Sequence, residues 1–238
     1  MVSNWGATVF LMAARTDRSA QQPAGNPVGR ARRTQQERTA QAERALLDAA
    51  EELFSRRGVD QTSLADVGQL AGYSRGLVNH HFGSKSTLVD ELARRIQSQF
   101  VSDTKAALDA ARAEVDAVEV LANLVAEYLA AIARHEQTGR AFFVMWGASI
   151  PSEAALRPVF ATDDANFREG VEAILRSGQD DGSVDSDVDP ASSAVTVIGM
   201  LRGIAAQYLI APESIDLDAA TRATRQILRR SLGPAHRP

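Results

Sequence analysis

The chain has 238 residues, with 26 Lys and Arg side chains against 30 Asp and Glu, which gives a formal net charge of −4 at pH 7. A hydrophobic fraction of 45% and a charged fraction of 24% are ordinary for a globular protein and exclude fibrous and intrinsically disordered classes. The chain has no Cys, which excludes disulfides, thiolate catalysis and Cys-ligated zinc.

The charge is divided unevenly along the chain. Residues 1–100 carry 13 basic and 10 acidic side chains, whereas residues 101–238 carry 13 basic and 20 acidic side chains. A split of this kind favours two parts with different partners. A chain without Cys needs no oxidising compartment, and no apolar run reaches the roughly 18 residues of a membrane-spanning helix. We therefore expect a cytoplasmic protein without a membrane partner.

The first 37 residues are rich in Arg, Gln, Ser, Pro and Gly and show little apolar periodicity. This composition predicts a disordered basic arm over residues 1–37. Four arginines fall within nine residues at its end: Arg30, Arg32, Arg33 and Arg38.

Apolar residues with helical spacing begin after this arm. One stripe predicts a helix over 38–57, ended by Gly58. Thr62 or Ser63 can begin a short helix over about 63–70, which Gly72 ends, and Ser74 can begin another over 75–81. A fourth helix is predicted from residue 85 to about 110.

The second half of the chain is also helical in its patterning. Apolar residues over 118–132, an apolar segment over 141–149 and a stripe over 160–175, ended near Gly178, predict three helices. Two more are predicted over 191–210 and from about 216 to 232. No strand-like alternation is present, so we expect an all-α fold.

The two short helices joined by a tight turn have the layout of a helix-turn-helix unit, whose second helix enters the DNA major groove. The segments Ala71-Gly72-Tyr73-Ser74-Arg75-Gly76 and His81-Phe82-Gly83-Ser84-Lys85 occur at fixed spacing. Together they resemble the DNA-binding region of the tetracycline-repressor (TetR) family of bacterial transcription regulators, and the resemblance covers residues 38–90. It implies a three-helix DNA-binding domain over 38–85 and a larger helical regulatory and dimerisation domain over 86–238.

The chemistry of individual residues agrees with this interpretation. Thr62 and Lys85 stand where they can hold phosphates on either side of the second short helix. Arg75 can make a bidentate contact to guanine, and Gly76 permits close approach to the duplex. The resemblance implies that Ser74, Asn79 and His80 also touch DNA. The expected DNA-binding residues are Thr62, Ser63, Ser74, Arg75, Gly76, Leu77, Asn79, His80 and Lys85.

Two residues depart from the family pattern. Asn79 stands where the family usually has Tyr, and it can hydrogen-bond a phosphate or read adenine without the ring. Gly68 stands where the family usually has Ala, and Gly inside a helix costs about 1 kcal/mol relative to Ala. We expect close packing of the two short helices to compensate.

The resemblance further implies a homodimer that binds a near-palindromic operator and a repressor that a small-molecule effector releases, with the fourth helix as the link. We expect no cofactor. The candidate effector-pocket residues are Tyr128, Phe142, Phe143 and Trp146. The expected dimer interface lies on the last two helices, at Ile198, Gly199, Leu201, Gly203, Ile227 and Leu228.

The alternative classes are a helical enzyme and a scaffold protein that does not bind DNA. No nucleophile elbow or phosphate-binding loop accompanies Ser149 or His135. His80 and His81 are neighbours on a helix and cannot face one metal ion together. We therefore expect no catalytic residues and no metal site.

Overall fold

A computed structural model describes residues 34–111, 115–151 and 154–234, although the side chains of 101 and 103–111 are not included. Every regular element within these residues is helical, which confirms the all-α fold. The elements are α1 (Gln35–Arg57), α2 (Leu64–Ala71), α3 (Arg75–Phe82), α4 (Lys85–Ala111), α5 (Ala117–Arg134), α6 (Glu136–Ala148), α7 (Arg157–Asp181), α8 (Pro190–Ile210), a 3-10 turn (Pro212–Ser214) and α9 (Leu217–Leu232).

The first helix begins three residues earlier than the sequence pattern predicts. Thr34 Oγ1 accepts from the Glu37 backbone N–H at 3.2 Å, and Glu37 Oε2 accepts from the Thr34 N–H at 2.7 Å. This reciprocal capping box fixes the start of α1 at Gln35. The predicted arm over 1–37 therefore extends too far, because residues 35–37 belong to α1. Residues 1–33 lie outside the described residues.

The turns of the helix-turn-helix unit follow their residue types. Ser63 is the N-cap of α2 and forms a capping box with Asp66, and Ser74 is the N-cap of α3. Gly72 ends α2 in the left-handed region, with φ of +76°. A residue with a side chain is strained in this conformation, and this explains the glycine.

Two hydrophobic cores organise the described chain. The first core joins α1, α2 and α3 to the first half of α4, through buried residues that include Phe54, Val78 and Leu92. It also takes in Phe142 and Met145 from α6. A helix from the second half of the chain thus completes the core of the DNA-binding unit.

The second core is formed by α5, α7, α8 and α9. Gly178 lies within α7 and does not end it, because the helix runs on to Asp181 and ends at Gly182. A Cβ atom at Gly178 would lie 2.5 Å from Val184 Cγ2 and 2.6 Å from Ala117 Cβ. This glycine therefore permits close approach of the chain around α7.

Helix α8 is the one described helix that is long and apolar enough to cross a membrane by length and composition. Its buried residues, among them Ala194, Leu201 and Ala205, belong to the second core. Core helices of globular proteins have the same composition, so the feature is weak evidence for a membrane segment.

Candidate DNA interface and effector site

Helix α3 presents one polar face to solvent. Arg75, Asn79 and His80 are exposed, whereas Val78 and Phe82 on the opposite face are buried in the first core. Gly76 is exposed, and Leu77 is half-buried. The spacing of these residues therefore separates a face that anchors the helix from a face that is free to meet a partner.

Gly68 sets the separation between the two short helices. A Cβ atom at this position would lie 2.9 Å from the Tyr73 carbonyl oxygen and 3.0 Å from Val78 Cγ2. Such distances are too short for a side chain, so the expected close packing is confirmed. The glycine lets α3 dock tightly on α2 with its polar face outward.

An open groove of about 440 Å³ runs beside α3, and it is lined by residues 60–66, Arg75 and Lys85. Lys85 Nζ donates to the Asp60 carbonyl oxygen at 3.4 Å, which holds the ammonium at the rim. Ser63 and the first turn of α2 lie in the same groove. A cation beside a helix N-terminus is a favourable environment for a phosphate.

Of the two Asp residues that line this groove, Asp60 and Asp66, the second is already partnered. Hydrogen bonds from the Ser63 hydroxyl and backbone hold the pKa of Asp66 below its usual value, and Arg57 at 3.4 Å lowers it further. Asp66 is thus engaged in capping α2, and Arg75 and Lys85 remain the cations that face the groove.

Thr62 does not occupy the place that the sequence analysis gave it. Its side chain is 1% exposed, its hydroxyl donates to the Gly58 carbonyl oxygen at 2.8 Å, and its N–H donates to the Val59 carbonyl oxygen at 3.1 Å. The expectation that its hydroxyl holds a phosphate is therefore wrong. The exposed hydroxyl at the start of α2 is that of Ser63, one residue later, and it donates to Asp66 Oδ2 at 2.7 Å.

The structure brings together the four aromatic residues expected to line an effector pocket. Phe142 and Phe143 are 5.6 Å apart between ring centroids, and Phe143 and Trp146 are 6.2 Å apart. Tyr128 joins them through Phe100, which stacks on it at 5.5 Å and lies 6.4 Å from Phe142. The cluster lies between the two cores, and Phe143 and Trp146 reach its half-buried edge.

A charged group that the sequence analysis missed lies against these rings. Arg202 is 8% exposed, and its guanidinium carbon lies 5.2 Å from the Trp146 centroid and 5.9 Å from that of Phe142. Its Nη2 lies 2.6 Å from Asp164 Oδ1. A signal was present, because Arg202 is the one charged residue in the 21 residues of α8.

The carboxyl group of Asp163 lies beside Arg202 and Asp164 and completes a charged cluster next to the aromatic rings. Burial raises its pKa to about 6, with Arg202 lowering it and Asp164 raising it in smaller measure. Burial also raises the pKa of the Tyr128 hydroxyl. Perturbed titratable groups among aromatic side chains are typical of a small-molecule site.

The expected dimer residues fall into two sets. Ile198, Leu201 and Leu228 are buried within the chain's own second core, so they are wrong as interface residues. Gly199, Gly203 and Ile227 are exposed. The large apolar side chains exposed near them are Val195 and Ile210, at 57% and 83% exposure. Side chains at 195, 199 and 203 share one face of α8, because helical neighbours recur every four residues.

Within the described residues, no group of three or more His, Asp and Glu side chains is placed to hold a metal ion. The pair of short helices, with the polar face of the second one exposed beside a groove that Arg75 and Lys85 line, defines a helix-turn-helix DNA-binding protein.

Comparison with known proteins identifies the family. Residues 46–92 match the family model described as bacterial regulatory proteins, tetR family, and residues 117–233 match that of the BetI-type transcriptional repressor C-terminal region. The regulator TtgR of Pseudomonas putida is 27% identical over 189 residues, covering 78% of this chain and 88% of that protein. The repressor KstR2 of Rhodococcus jostii is 29% identical over 155 residues, covering 60% of this chain and 68% of that protein.

A solved structure shows the same fold. A regulator from Saccharomonospora viridis, determined in complex with choline, has a TM-score of 0.69 and 22% identity, covering 82% of this chain and 98% of that one. The chain belongs to the TetR family of bacterial transcription regulators. It is accordingly a regulator and not an enzyme.

Proposed function

We propose that the protein is a homodimeric repressor that binds a near-palindromic operator and leaves it when a small molecule binds between its two cores. The observation that carries the DNA-binding part is the polar face of α3. Arg75, Asn79 and His80 are exposed while Val78 and Phe82 anchor the helix from behind. A helix held in this way can enter a major groove without unfolding any part of the domain.

The exposed residues divide by chemistry. Lys85, at the groove beside α3, contacts a phosphate and sets the register on the duplex, while Ser63 holds the first turn of α2 beside it through its hydrogen bonds to Asp66. Arg75 reads guanine, Asn79 and His80 meet base edges or backbone, and the half-buried Leu77 offers an apolar surface to a thymine methyl group. Ser74 caps α3, whose first turn lies against the DNA. Gly76 in this turn has no side chain and so permits a close approach to the duplex.

Two copies are needed because one short helix covers only a few base pairs. The exposed apolar face of α8, together with Ile227 of α9, supplies a surface on which a second copy packs about a two-fold axis. The two α3 helices of such a dimer fall one turn of DNA apart, about 34–36 Å, or a multiple of it.

Repression and its release follow from linked binding equilibria. The relative KstR2 of Rhodococcus jostii is a repressor. In this chain Phe142 packs in the DNA-binding core, while Phe143 and Trp146 on the same helix α6 belong to the aromatic cluster. A molecule bound there favours one position of α6, and this lowers operator affinity by the factor by which DNA lowers affinity for the molecule. The chain then acts in the cytoplasm, where the operator is found.

Selection of random duplexes by the purified full chain tests the proposal. We expect enrichment of a near-palindromic sequence with two half-sites related by a two-fold axis. A variant with Arg75→Ala and Asn79→Ala serves as the matched control and should enrich no such sequence. Recovery of unrelated sequences by the wild-type chain, or the same consensus from the double variant, would contradict the proposal.

A further inference from the structure

The charged cluster beside the aromatic rings holds polar atoms that the fold leaves unsatisfied. Among the described residues, four buried side-chain polar atoms lack a hydrogen bond, and three of them lie here: Gln97 Nε2, Asp164 Oδ1 and Arg202 Nε. The 2.6 Å contact between Arg202 and Asp164 is an ion pair without hydrogen-bond alignment. The Gln97 amide lies close enough to Asp163 to lower the pKa of that carboxyl without completing a well-formed hydrogen bond.

Unsatisfied buried polar atoms are costly, and native proteins keep few of them without a reason. Here they come from three different helices, since Gln97 belongs to α4, Asp164 to α7 and Arg202 to α8. Asp163 and Asp164 are half-buried, as are Trp146 and Phe143 beside them. The cluster therefore reaches the surface on the side where a small molecule could enter.

The charges of the cluster do not balance. Asp163 and Asp164 face a single guanidinium, that of Arg202. A carboxyl group with a pKa of about 6 is mainly ionised at pH 7.5, so the cluster carries an excess negative charge at that pH. This excess charge would repel an anionic ligand, whereas it would attract a cationic one.

The aromatic rings around the cluster also favour a positively charged ligand. The guanidinium of Arg202 lies over the faces of Trp146 and Phe142, which shows that these faces accept a cation. Phe143 extends the apolar wall from Trp146. A ligand that presents a positive group to Asp163 and Asp164 can therefore lay an apolar body on these rings.

We propose that the effector of this protein is an organic monocation with an apolar body, held by Asp163 and Asp164 against Trp146 and Phe142. The inference rests on the proposed function, because it names the chemical class of the effector at the same site. The ligand competes with Arg202 for the two carboxylates. It thereby displaces the side chain that now joins α8 to α7 and α6.

Two ions of the same shape and opposite charge test the sign of the site. Tetraphenylphosphonium and tetraphenylborate are titrated into the full chain by calorimetry at pH 7.5, with benzyltrimethylammonium as a smaller second cation. We expect at least one cation to bind and tetraphenylborate to bind at least tenfold more weakly than that cation. Asp163→Asn and Asp164→Asn should each weaken the cation at least tenfold. Arg202→Gln should not weaken it, because it removes the competitor.

Asp180→Asn is the matched control, since this exposed Asp lies on the same helix outside the cluster, and it should leave the affinity unchanged. Thermal melts of every variant show whether it is folded. The inference is overturned if tetraphenylborate binds as tightly as the cations, if neither cation binds, or if both folded Asn variants keep wild-type affinity. Duplex binding without ligand is measured on the same samples. A chain that binds its selected operator but no cation would contradict this inference alone and leave the proposed function standing.

Discussion

Thr138 Oγ1 on α6 donates a 2.6 Å hydrogen bond to Glu51 Oε1 on α1. The other oxygen of Glu51 accepts from Arg95 Nη2 on α4 at 2.6 Å, and Arg95 Nη1 also donates to Asp48 at 2.6 Å. Three helices therefore meet at one carboxylate, whose side chain is only 13% exposed. The sequence pattern pointed to α4 alone as the link between the two parts, and the Thr138–Glu51 hydrogen bond adds α6 as a second link.

Replacing Thr138 by Val removes the hydroxyl and keeps the shape of the side chain. Because Glu51 keeps its pairing with Arg95, we expect a loss of about 0.5–1.5 kcal/mol in the free energy of unfolding. Urea denaturation measures this loss. Thr162→Val is the control, since that exposed hydroxyl bonds only within its own helix and should cost less than about 0.5 kcal/mol. Equal effects of the two substitutions would show that the Thr138 hydrogen bond contributes nothing specific.

Gly68→Ala should destabilise the protein even though Ala is the better helix former. The added Cβ would meet the Tyr73 carbonyl oxygen at 2.9 Å, and a backbone atom cannot move aside cheaply. We expect a cost of about 1–3 kcal/mol, typical of overpacking. Gly147→Ala is the control, because nothing lies within 4 Å of its Cβ position, and it should stabilise by up to about 1 kcal/mol. Chemical denaturation of both variants would contradict the account if Gly68→Ala were the more stable.

The sequence predicted the local structure well because its signals are local. Ser63, Ser74, Gly58 and Gly72 act as caps through their own backbone and nearest neighbours, so their roles could be read from residue type and spacing. The early start of α1 differs from the prediction because the Thr34 and Glu37 capping box lies in a segment with little apolar periodicity, where composition favours disorder.

The errors concern which face of a helix is buried, and this depends on long-range packing. Leu201 and Leu228 are as apolar as any interface residue, but the fold places both inside one chain. Thr62 has the residue type of a phosphate ligand, but its hydroxyl turns back to Gly58. The charged cluster of Gln97, Asp163, Asp164 and Arg202 could not be predicted from the sequence, because its members lie on helices that are distant in the chain.

Gly203→Arg and Leu201→Ala distinguish the exposed face of α8 from its buried face. A bulky charge at the exposed Gly203 should give a folded monomer, whereas Leu201→Ala should lower the free energy of unfolding by about 2–5 kcal/mol. Sedimentation and thermal melts separate these outcomes. Ala161→Arg, at an exposed position on α7, controls for the added charge and should sediment like the wild type. A Gly203→Arg chain that remains dimeric would place the interface elsewhere.

The raised pKa of Asp163 predicts a definite pH dependence of stability. Since its pKa is about 6 in the folded chain against 3.8 in the unfolded one, the folded state binds more protons between these values and loses stability as the pH rises through them. Asp163→Asn, which mimics the protonated acid, should match the wild type near pH 4. It should be more stable by on the order of 1–3 kcal/mol above pH 6.5.

Unfolding by urea across this pH range measures the difference between the two proteins. Asp189 has the opposite pH dependence. Hydrogen bonds from Ser192 lower its pKa, so its contribution to the free energy of unfolding is lost as the pH falls. A gap between wild type and Asp163→Asn that does not change with pH would contradict the assignment of a buried, partly desolvated carboxylate.

The most direct test of how α3 reads DNA is the equilibrium binding of two variants, Arg75→Ala and Lys85→Ala. Each variant is titrated with the selected operator and with a random duplex at several salt concentrations. Arg75→Ala should cost about 1–3 kcal/mol at one base pair of each half-site and spare the random duplex. Lys85→Ala should weaken both duplexes alike and reduce the salt slope by about 0.9 for each phosphate that the protein no longer neutralises. Equal losses of affinity on both duplexes from Arg75→Ala, with no change in the salt slope from Lys85→Ala, would contradict the account.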